Sequence, residues 1–360
     1  MLFADVLEIK NGRNQRTVEN PNGAYPIYGS GGVMGYADDF ICQAQTVVVG
    51  RKGNINKPLF VDVPFWNVDT AFGLEAKRNV LLPKYLYYFC LRYDFERLNK
   101  AVTIPSLTKA DLLKIEIELP KLSVQEDIVS RLESIERVIS IRQHQLSALD
   151  TLIKARFVEM FGAFPENPRG WKTGIIRDVV SDVRYGSSRP AVEGGGYPYL
   201  RMNNITYGGE LDLADTKRID IPENELDKCT VRRGDVLFNR TNSKELVGKT
   251  CVYNRDEMMV LAGFVIRVRL NEQMLPEFLS AFLNTDFSKA MLLGMCKAAI
   301  GQANINAQEM QGIRIYIPPI ERQKEFVLFK AQVDKSKAVV QAALDKAQLL
   351  FNSLMQQYFG

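Results

Sequence analysis

The chain has few of the residues that metal and disulfide sites require. It contains a single histidine, His144, which is expected to be a solvated helix residue. The cysteines are odd in number, widely spaced and without a C-x-x-C pair: Cys42, Cys90, Cys229, Cys251 and Cys296. Because zinc sites and disulfide frameworks need clustered or paired ligands, we expect reduced thiols and no metal site.

Long apolar runs are also missing. No stretch approaches the roughly 18 apolar residues that a membrane span needs, and no charged-then-apolar signal opens the chain. The sequence therefore predicts a cytoplasmic protein without a membrane partner. The formal net charge of +4 is mildly basic, which permits nucleic-acid binding but does not demonstrate it.

Two enzyme signatures are incomplete or absent. Residues 243–250 end like a phosphate-binding loop, but Ser243 stands where the first glycine of that loop is needed. The Asn-Pro-Pro-aromatic or Asp-Pro-Pro-aromatic tetrad of amino-methyltransferases does not occur, and no glycine motif for S-adenosylmethionine is evident. We therefore assign no catalytic residue and do not expect a self-sufficient methylating enzyme.

What the chain does have is a duplication. Residues 119–162 align without a gap with residues 317–360, at a constant offset of 198. Identical residues recur at paired positions, among them Pro120 and Pro318, Gln125 and Gln323, Val129 and Val327, and Phe161 and Phe359. A period of this length indicates a duplicated domain rather than a solenoid repeat.

Each copy has the periodicity of a coiled-coil helix. Alternating steps of four and three from Ile128, and from Phe326 in the second copy, reach apolar residues at eight of ten positions. The 38 residues from Ser123 to Met160 exceed the roughly 8 to 20 residues of ordinary globular helices. Ser123 and Glu126 predict a capping box at the start of the first helix.

Connectivity fixes the direction of the pair. The first helix ends where the second globular segment begins, and the second helix begins where that segment ends, so paired helices must run antiparallel. We predict an α+β protein with two similar globular domains, an antiparallel two-helix coiled coil and a pseudo-two-fold relation. The expected boundaries are 1–120 for the first domain, 121–162 for the first helix, 163–318 for the second domain and 319–360 for the second helix.

The two globular segments repeat one order of motifs. Asp178-Val179-Val180 matches the opening strand at Asp5-Val6-Leu7, and Tyr197-Pro198 matches Tyr25-Pro26. Residues 235–240 match 46–51, and the helix predicted from Leu275 matches the one predicted from Leu82. The local offset grows from 172 at the tyrosines to 198 at the long helices, so the second segment has longer loops. Shared framework residues with different loops predict loops that discriminate between ligands.

Together these features resemble the specificity subunit of type I restriction-modification systems. In that family each target recognition domain is followed by a long helix with a PPL-x-x-Q type signature, which stands here at 119–125 and 317–323. Further matches are Gly50-Arg51-Lys52-Gly53, Phe65-Trp66, Asp69-Thr70, Gly234-Asp235-Val236-Leu237 and Gly301-Gln302-Ala303-Asn304-Ile305. The resemblance covers essentially the whole chain. The first domain departs from it by lacking an equivalent of residues 167–171, so we expect some N-terminal residues to be missing or dispensable.

The resemblance implies a non-catalytic DNA reader. Each target recognition domain would read one half of a bipartite, asymmetric target, and the helices would set the gap. A 38-residue helix is about 57 Å long, which is at most some 17 base-pair steps. The implied partners are double-stranded DNA, two methyltransferase (M) subunits and, in the complete complex, restriction (R) subunits. S-adenosylmethionine, ATP and Mg are implied for those partners, and no cofactor for this chain.

Candidate DNA contacts are basic and amide residues near predicted turns. Arginine can pair bidentately with guanine and asparagine with adenine, whereas other basic residues would contact phosphates or simply be solvated. In the first domain the candidates are Arg13, Asn14, Arg16, Arg51, Lys52 and Asn54. In the second domain they are Arg184, Ser187, Ser188, Arg189, Arg201, Asn203, Asn204, Arg240, Asn242 and Lys244.

Two other functions remain open at this point. One is a stand-alone, two-domain DNA-binding regulator or decoy without enzyme partners, which co-purification with a methyltransferase chain would exclude. The other is a pair of protein-interaction modules with no DNA role. A salt-dependent DNA shift that is lost on Arg51→Ala or Arg240→Ala would exclude this second alternative.

Overall fold

A computed structural model of the chain describes residues 1–99, 104–299 and 302–360. The chain forms two compact units. Unit 1 comprises Met1–Gln143 with Gln341–Gly360, and unit 2 comprises His144–Val340. Within these described ranges no helix is both long and apolar enough to cross a membrane. Gly301, part of one family match, lies outside the described residues.

The α-helices of the described ranges include two of 40 residues each. In chain order they are α1 (Phe3–Val6), α2 (Pro83–Arg92), α3 (Lys109–Leu112), α4 (Leu122–Phe161), α5 (Glu223–Cys229), α6 (Pro276–Leu283), α7 (Asp286–Met295), α8 (Ala307–Gln311) and α9 (Ile320–Phe359). The long pair, α4 and α9, confirms the predicted long helices.

The strands are short and belong to one unit or the other. Those of unit 1 are β1 (Leu7–Asn11), β2 (Tyr25–Gly29), β3 (Gly32–Ala37), β4 (Thr46–Gly50), β5 (Leu59–Val61), β6 (Trp66–Asn67) and β7 (Ala71–Ala76). Those of unit 2 are β8 (Thr173–Ile175), β9 (Val180–Tyr185), β10 (Tyr197–Leu200), β11 (Lys217–Ile219), β12 (Thr230–Val231), β13 (Val236–Asn239), β14 (Thr241–Asn242), β15 (Thr250–Val252), β16 (Met259–Leu261), β17 (Val265–Leu270), β18 (Lys297–Ala299), β19 (Gln302–Asn304) and β20 (Arg314–Tyr316).

The two units share one sheet topology. A four-stranded antiparallel sheet has the order β1-β7-β4-β5 in unit 1 and β9-β17-β13-β15 in unit 2. A second sheet in each unit contains one parallel pair, β2 with β6 and β10 with β16. The equivalence of β4 with β13, of β2 with β10 and of α2 with α6 agrees with the sequence alignment, and the duplicated α+β fold is confirmed.

The predicted opening strands begin two residues later than expected. Asp5 lies in the one-turn helix α1, and Asp178 lies in a 3₁₀ turn (Ile176–Val179). Each carboxylate accepts a hydrogen bond from a backbone N–H three residues earlier, Leu2 at 3.2 Å and Ile175 at 2.9 Å. An aspartate that satisfies a backbone donor in this way favours a helical turn over a strand.

The predicted cap of the first long helix is wrong. Helix α4 begins at Leu122, so Ser123 lies within its first turn rather than before it. The carbonyl oxygen of Lys121 already accepts hydrogen bonds from the backbone N–H groups of Val124 and Gln125. Tertiary contacts of Gln125, described next, hold this end of the helix in place of a serine cap.

A buried glutamine attaches each long helix to its unit. Gln125 is fully buried; its Oε1 accepts from Leu82 N at 2.9 Å, and its Nε2 donates to the carbonyls of Val80 and Pro120, both at 2.9 Å. In unit 2 the equivalent Gln323, also fully buried, accepts from Leu275 N at 2.8 Å and donates to Gln273 O and Pro318 O. Each amide thus connects the start of a long helix to the chain just before α2 or α6.

The far end of the other long helix packs on the same unit. In unit 2, Phe161 at the end of α4 contacts Phe278 on α6, with ring centroids 4.8 Å apart. In unit 1, Phe359 at the end of α9 contacts Tyr85 on α2 at 5.0 Å. Because Phe161 and Phe359 are 198 residues apart, one packing arrangement occurs twice.

Contacts within unit 2 show the direction of the helix pair. Phe157 on α4 packs against Phe326 near the start of α9, at 5.2 Å between ring centroids. Asp150, which lies earlier on α4, forms an ion pair with Lys337, which lies later on α9; the distance between Asp150 Oδ1 and Lys337 Nζ is 2.6 Å. Earlier residues of one helix therefore meet later residues of the other, which confirms the predicted antiparallel pairing.

We expect Gln125→Leu to lower the free energy of unfolding of unit 1 by about 1 to 3 kcal/mol, because leucine leaves three partly buried backbone groups without their side-chain partner. Trp66 lies in unit 1 and Trp171 in unit 2, and they are the chain's two tryptophans. In a Trp171→Phe background, denaturant titration of Trp66 fluorescence therefore reports on unit 1 alone.

The matched control is Gln143→Leu, the same change at an exposed position of α4. Equal unfolding midpoints for the Gln125 and Gln143 variants would contradict the role assigned to the buried amide.

Candidate nucleic-acid interface

Three chain segments of unit 1 meet at one end of its four-stranded sheet. Strand β1 ends at Asn11 opposite Phe72, and β4 ends at Gly50 opposite Ala71, the first residue of β7. We call this the sheet end of unit 1. The loops that leave it, 12–16 and 51–54, carry all six candidates of the first domain.

Unit 2 has an equivalent sheet end. Strand β9 ends at Tyr185 opposite Ile266, and β13 ends at Asn239 opposite Val265, the first residue of β17. The shared topology therefore brings residues after β9, after β13 and before β17 to one edge. These segments are far apart in the sequence, and it is the fold that brings them together.

Arg51 and Arg240 occupy the same backbone position in the two units. The N–H of Arg51 donates to Thr70 O at 2.8 Å, and that of Arg240 to Phe264 O at 3.0 Å. Their carbonyls accept from Leu107 N and Ile305 N, both at 2.9 Å, and these two donors are 198 residues apart. Both the N–H and the carbonyl of each arginine are therefore hydrogen-bonded to the backbone. The surroundings of the two side chains can differ while the backbone position stays the same.

Both guanidinium groups also lie over aromatic rings. The Arg51 Cζ is 5.7 Å from the centroid of Phe72, and the Arg240 Cζ is 4.9 Å from that of Tyr185. Such stacking orients a guanidinium and preserves its charge. Arg51 is exposed and Arg240 half-buried.

The other candidates of unit 1 flank the segment 67–71. Arg13 donates its N–H to Asn67 O at 2.9 Å, and Arg51 and Lys52 both donate theirs to Thr70 O. The remaining members of the group, Asn14, Arg16 and Asn54, are exposed, as are Arg13 and Lys52. The structure thus places both predicted turns of the first domain beside one backbone segment.

A hairpin that the sequence candidates did not include adjoins this surface. The tip between β2 and β3 packs against the turn after β4, because a Cβ at Gly50 would lie 3.0 Å from the Cβ of Ser30. Just beyond the tip, Val33 and Met34 are 53% and 63% exposed. The Gly31-Gly32 pair signalled the turn, but apolar residues were not sought as DNA contacts, although they can contact thymine methyl groups.

Several candidates of unit 2 are held by carboxylates. Arg184 pairs with Asp182 at 2.9 Å, Arg189 with Glu225 at 2.8 Å and Arg201 with Asp215 at 2.9 Å. The hydrogen bonds from Arg189 and Arg201 lower the pKa values of Glu225 and Asp215. The remaining candidates, Ser188, Asn203 and Lys244, are exposed, and Asn242 is half-buried.

Two candidates are buried and hold their neighbours in place. Ser187 is 5% exposed, and its Oγ accepts from the backbone N–H of Arg189 at 3.2 Å. Asn204 is 2% exposed; its Oδ1 accepts from Arg201 N at 2.8 Å, and its Nδ2 donates to Asp212 O at 2.8 Å. These side chains position Arg189 and Arg201 from within the unit.

A groove of about 740 Å³ in unit 2 brings the candidate Arg184 together with three arginines that the sequence did not single out, Arg232, Arg267 and Arg269. Lys228 and the carboxylates of Asp182, Asp227 and Asp256 also line it. Arg267 and Arg269 lie two apart on β17, and the period of two on a strand places them on one face. This spacing of two could have indicated that both arginines share a face of the sheet. Arginines on a strand do not by themselves show whether that face forms a groove or is simply solvated.

Asp182 organises one wall of this groove. It accepts hydrogen bonds from Arg267 Nη2 at 2.7 Å and Arg184 Nε at 2.9 Å. Burial opposes its ionisation, but the two guanidinium groups lower the pKa of its carboxyl below the usual value. Arg267 has a side chain only 3% exposed, so its charge depends on this carboxylate and on the carbonyls of Asp227 and Thr230.

Thiol and metal chemistry find no support in the described ranges. Those residues include no group of three histidine, cysteine or carboxylate side chains that could hold a metal ion. Burial raises the pKa of Cys251 to about 12, and Cys42 and Cys90 are also buried with raised pKa values.

Comparison with known proteins gives one consistent match. The family model described as the type I restriction modification DNA specificity domain matches residues 3–151 and 168–346. The chain is 23% identical over 328 residues to the EcoKI specificity subunit of Escherichia coli K12, covering 85% of this chain and 70% of that protein. It is 20% identical over 348 residues to a putative type I specificity subunit of Haemophilus influenzae, covering 93% and 83%.

Solved structures show the same fold. The S subunit of a type I system from M. genitalium aligns with a TM-score of 0.62 at 14% identity, covering 100% of this chain and 95% of that one. A chain from work on complex assembly and conformational transition of the type I R-M system aligns with a TM-score of 0.58 at 18% identity, covering 100% and 96%.

We expect Asp182→Asn to lower the free energy of unfolding of unit 2 by about 3 kcal/mol near neutral pH, because it removes the carboxylate partner of a buried arginine. The native pKa of Asp182 is lowered, so its stabilisation is present above the unfolded value near 3.9 and is lost as the pH falls through the native value. The difference between variant and wild type should therefore shrink in acid.

Denaturant titrations of Trp171 fluorescence in a Trp66→Phe background measure this at several pH values. Asp215→Asn is the control, since its carboxylate pairs with Arg201 at the surface, and it should have a smaller effect. A difference for Asp182→Asn that stays constant from neutral to acidic pH would contradict the ion-pair explanation.

Proposed function

Since the chain belongs to the type I restriction-modification DNA specificity family, we propose that it reads a bipartite, asymmetric DNA target as the specificity subunit of such a complex. Unit 1 and unit 2 each contact one half-site through the loops at their sheet ends. The paired helices α4 and α9 fix the unread gap. Catalysis belongs to other subunits.

One observation carries this proposal: Arg51 and Arg240 are fixed at the same place on two copies of one framework, next to loops that differ. Equivalent backbone hydrogen bonds hold both arginines at a sheet end. Lys52, Asn54 and the tip of the β2–β3 hairpin lie near Arg51, whereas Tyr185 and Phe264 lie near Arg240. A common anchor with different surroundings suits two readers of different half-sites.

The proposed partners follow from the same relatives. The matched proteins are named as specificity subunits, and one similar chain comes from work on the assembly of a type I system. We infer that this chain binds two methyltransferase subunits and, in the complete complex, restriction subunits. S-adenosylmethionine, ATP and Mg would be bound by those partners.

Truncation of either arginine should weaken DNA binding. We expect Arg51→Ala and Arg240→Ala each to cost about 1 to 3 kcal/mol of binding free energy, as is typical for a bidentate base contact. Arg51→Lys and Arg240→Lys should restore little affinity if the contact is bidentate, and most of it if the contact is to a phosphate. Fluorescence anisotropy with a duplex containing the recognised site measures each variant.

Two arginines outside the proposed reading surfaces provide controls. Arg78 comes after the last residue of β7, and the sheet end of unit 1 lies at the first residue of that strand. Arg314 lies on β20, which belongs to a different sheet of unit 2. Alanine at these positions should leave DNA affinity within error of wild type. If Arg51→Ala and Arg240→Ala behave like these controls, the proposed reading surfaces are wrong.

A further inference from the structure

The face of β9 and β17 that carries the arginine groove of unit 2 has a counterpart in unit 1 with different charge. Counting from the two sheet ends, the pair Arg184 and Arg267 corresponds to Lys10 and Gly73, and the pair Asp182 and Arg269 corresponds to Glu8 and Glu75. Three arginines and one aspartate in unit 2 thus replace one lysine, one glycine and two glutamates in unit 1.

Packing prevents unit 1 from having the same groove. A Cβ at Gly73 would lie 2.3 Å from the Sγ of the buried Cys42, so no arginine fits there. Lys10 is also neutralised, at 2.7 Å from Glu8 and 3.8 Å from Glu75. At these four positions unit 1 therefore has one more negative than positive side chain, whereas unit 2 has two more positive than negative ones. The close contact between Gly73 and Cys42 makes this difference part of the core packing.

In unit 2 the groove combines a fixed wall with available donors. Arg267 forms the fixed wall of the groove, because its guanidinium donates hydrogen bonds to the carbonyls of Asp227 and Thr230 at the end of α5 and to the carboxylate of Asp182. Arg184 is 53% exposed and uses its Nε on Asp182. Within the described part of the chain, the exposed side chains of Arg232 and Lys228 form no salt bridge.

We propose that the arginine groove of unit 2 binds the phosphodiester backbone of double-stranded DNA beside the half-site read by that unit, and that unit 1 has no such contact. This inference rests on the proposed function of the chain. Arg184, Arg232 and Lys228 supply the phosphate contacts, while Arg267 and Asp182 are positioning residues. Unit 2 then contributes more than unit 1 to the sequence-independent part of binding.

Two observations favour DNA over an acidic protein as the occupant. Strand β9 is the edge strand of its sheet; Arg184 lies on its groove face, and the next residue, Tyr185, lies on the opposite face beneath Arg240. The groove and the proposed reading surface therefore adjoin each other around this edge strand. Moreover, a partner subunit that binds both units alike requires the same chemistry on both, and unit 1 has an acidic face there.

The test measures salt dependence on DNA of random sequence, because phosphate contacts do not depend on base sequence. The full-length chain, with any subunits that co-purify, is titrated against a labelled random-sequence duplex between about 50 and 200 mM salt. Each phosphate contact contributes about 0.9 to the slope of log affinity against log salt. We expect Arg184→Gln/Arg232→Gln to reduce that slope by about 2 and Lys228→Gln by about 1.

Controls separate this proposal from the proposed function. Lys10→Gln, at the counterpart position of unit 1, should leave the slope unchanged. If Arg51→Ala and Arg240→Ala weaken specific binding while the groove variants keep the wild-type slope, the groove proposal is overturned and DNA reading stands. Loss of a co-purifying subunit with an unchanged slope would also overturn it, because the groove would then be a protein surface. A wild-type chain without salt-dependent DNA binding would overturn both.

Discussion

The fold depends on a pair of buried amides. Gln125 and Gln323 each satisfy one backbone N–H and two carbonyls that are partly or fully removed from solvent. A glutamine side chain has two N–H donors and an acceptor oxygen, and this geometry uses both donors and one lone pair of the oxygen, so a hydrophobic residue of similar size cannot replace it without loss. Through these contacts the start of each long helix is fixed to the segment that introduces α2 or α6, and the sheets are built around those helices.

On this support the duplication produces two readers that can differ. The backbone positions of Arg51 and Arg240 are fixed by the same pair of backbone hydrogen bonds in each unit, and these bonds do not involve the side chains of the loops. The loops are thereby free to change in length and charge, as the hairpin at Val33 and Met34 in unit 1 and the arginine groove in unit 2 illustrate. Gly73 against Cys42 shows that part of this divergence reaches the core.

The sequence was sufficient for the parts of the fold that repeat. The heptads and the 198-residue offset predicted the long helices, chain connectivity predicted their antiparallel direction, and the motif order predicted equivalent strands in both units. It failed where a local hydrogen bond competed with a pattern, as at Asp5, Asp178 and Ser123. For the site, composition located the basic turns but could not distinguish an exposed side chain from one used internally, so Ser187 and Asn204 were indistinguishable from Ser188 and Asn203. Arg267 and Arg269 were missed because their convergence with Arg184 and Arg232 depends on tertiary structure.

In the proposed function each unit independently reads one half of an unlike pair of half-sites. Selecting bound sequences from a randomised duplex pool, with the wild-type complex and with Arg240→Ala, tests this when base preferences are compared position by position. We expect two preferred blocks of different sequence separated by an unread gap, with preferences relaxed in one block alone for the variant. A continuous palindrome, or equal relaxation of both blocks, would show that the units do not read separate half-sites.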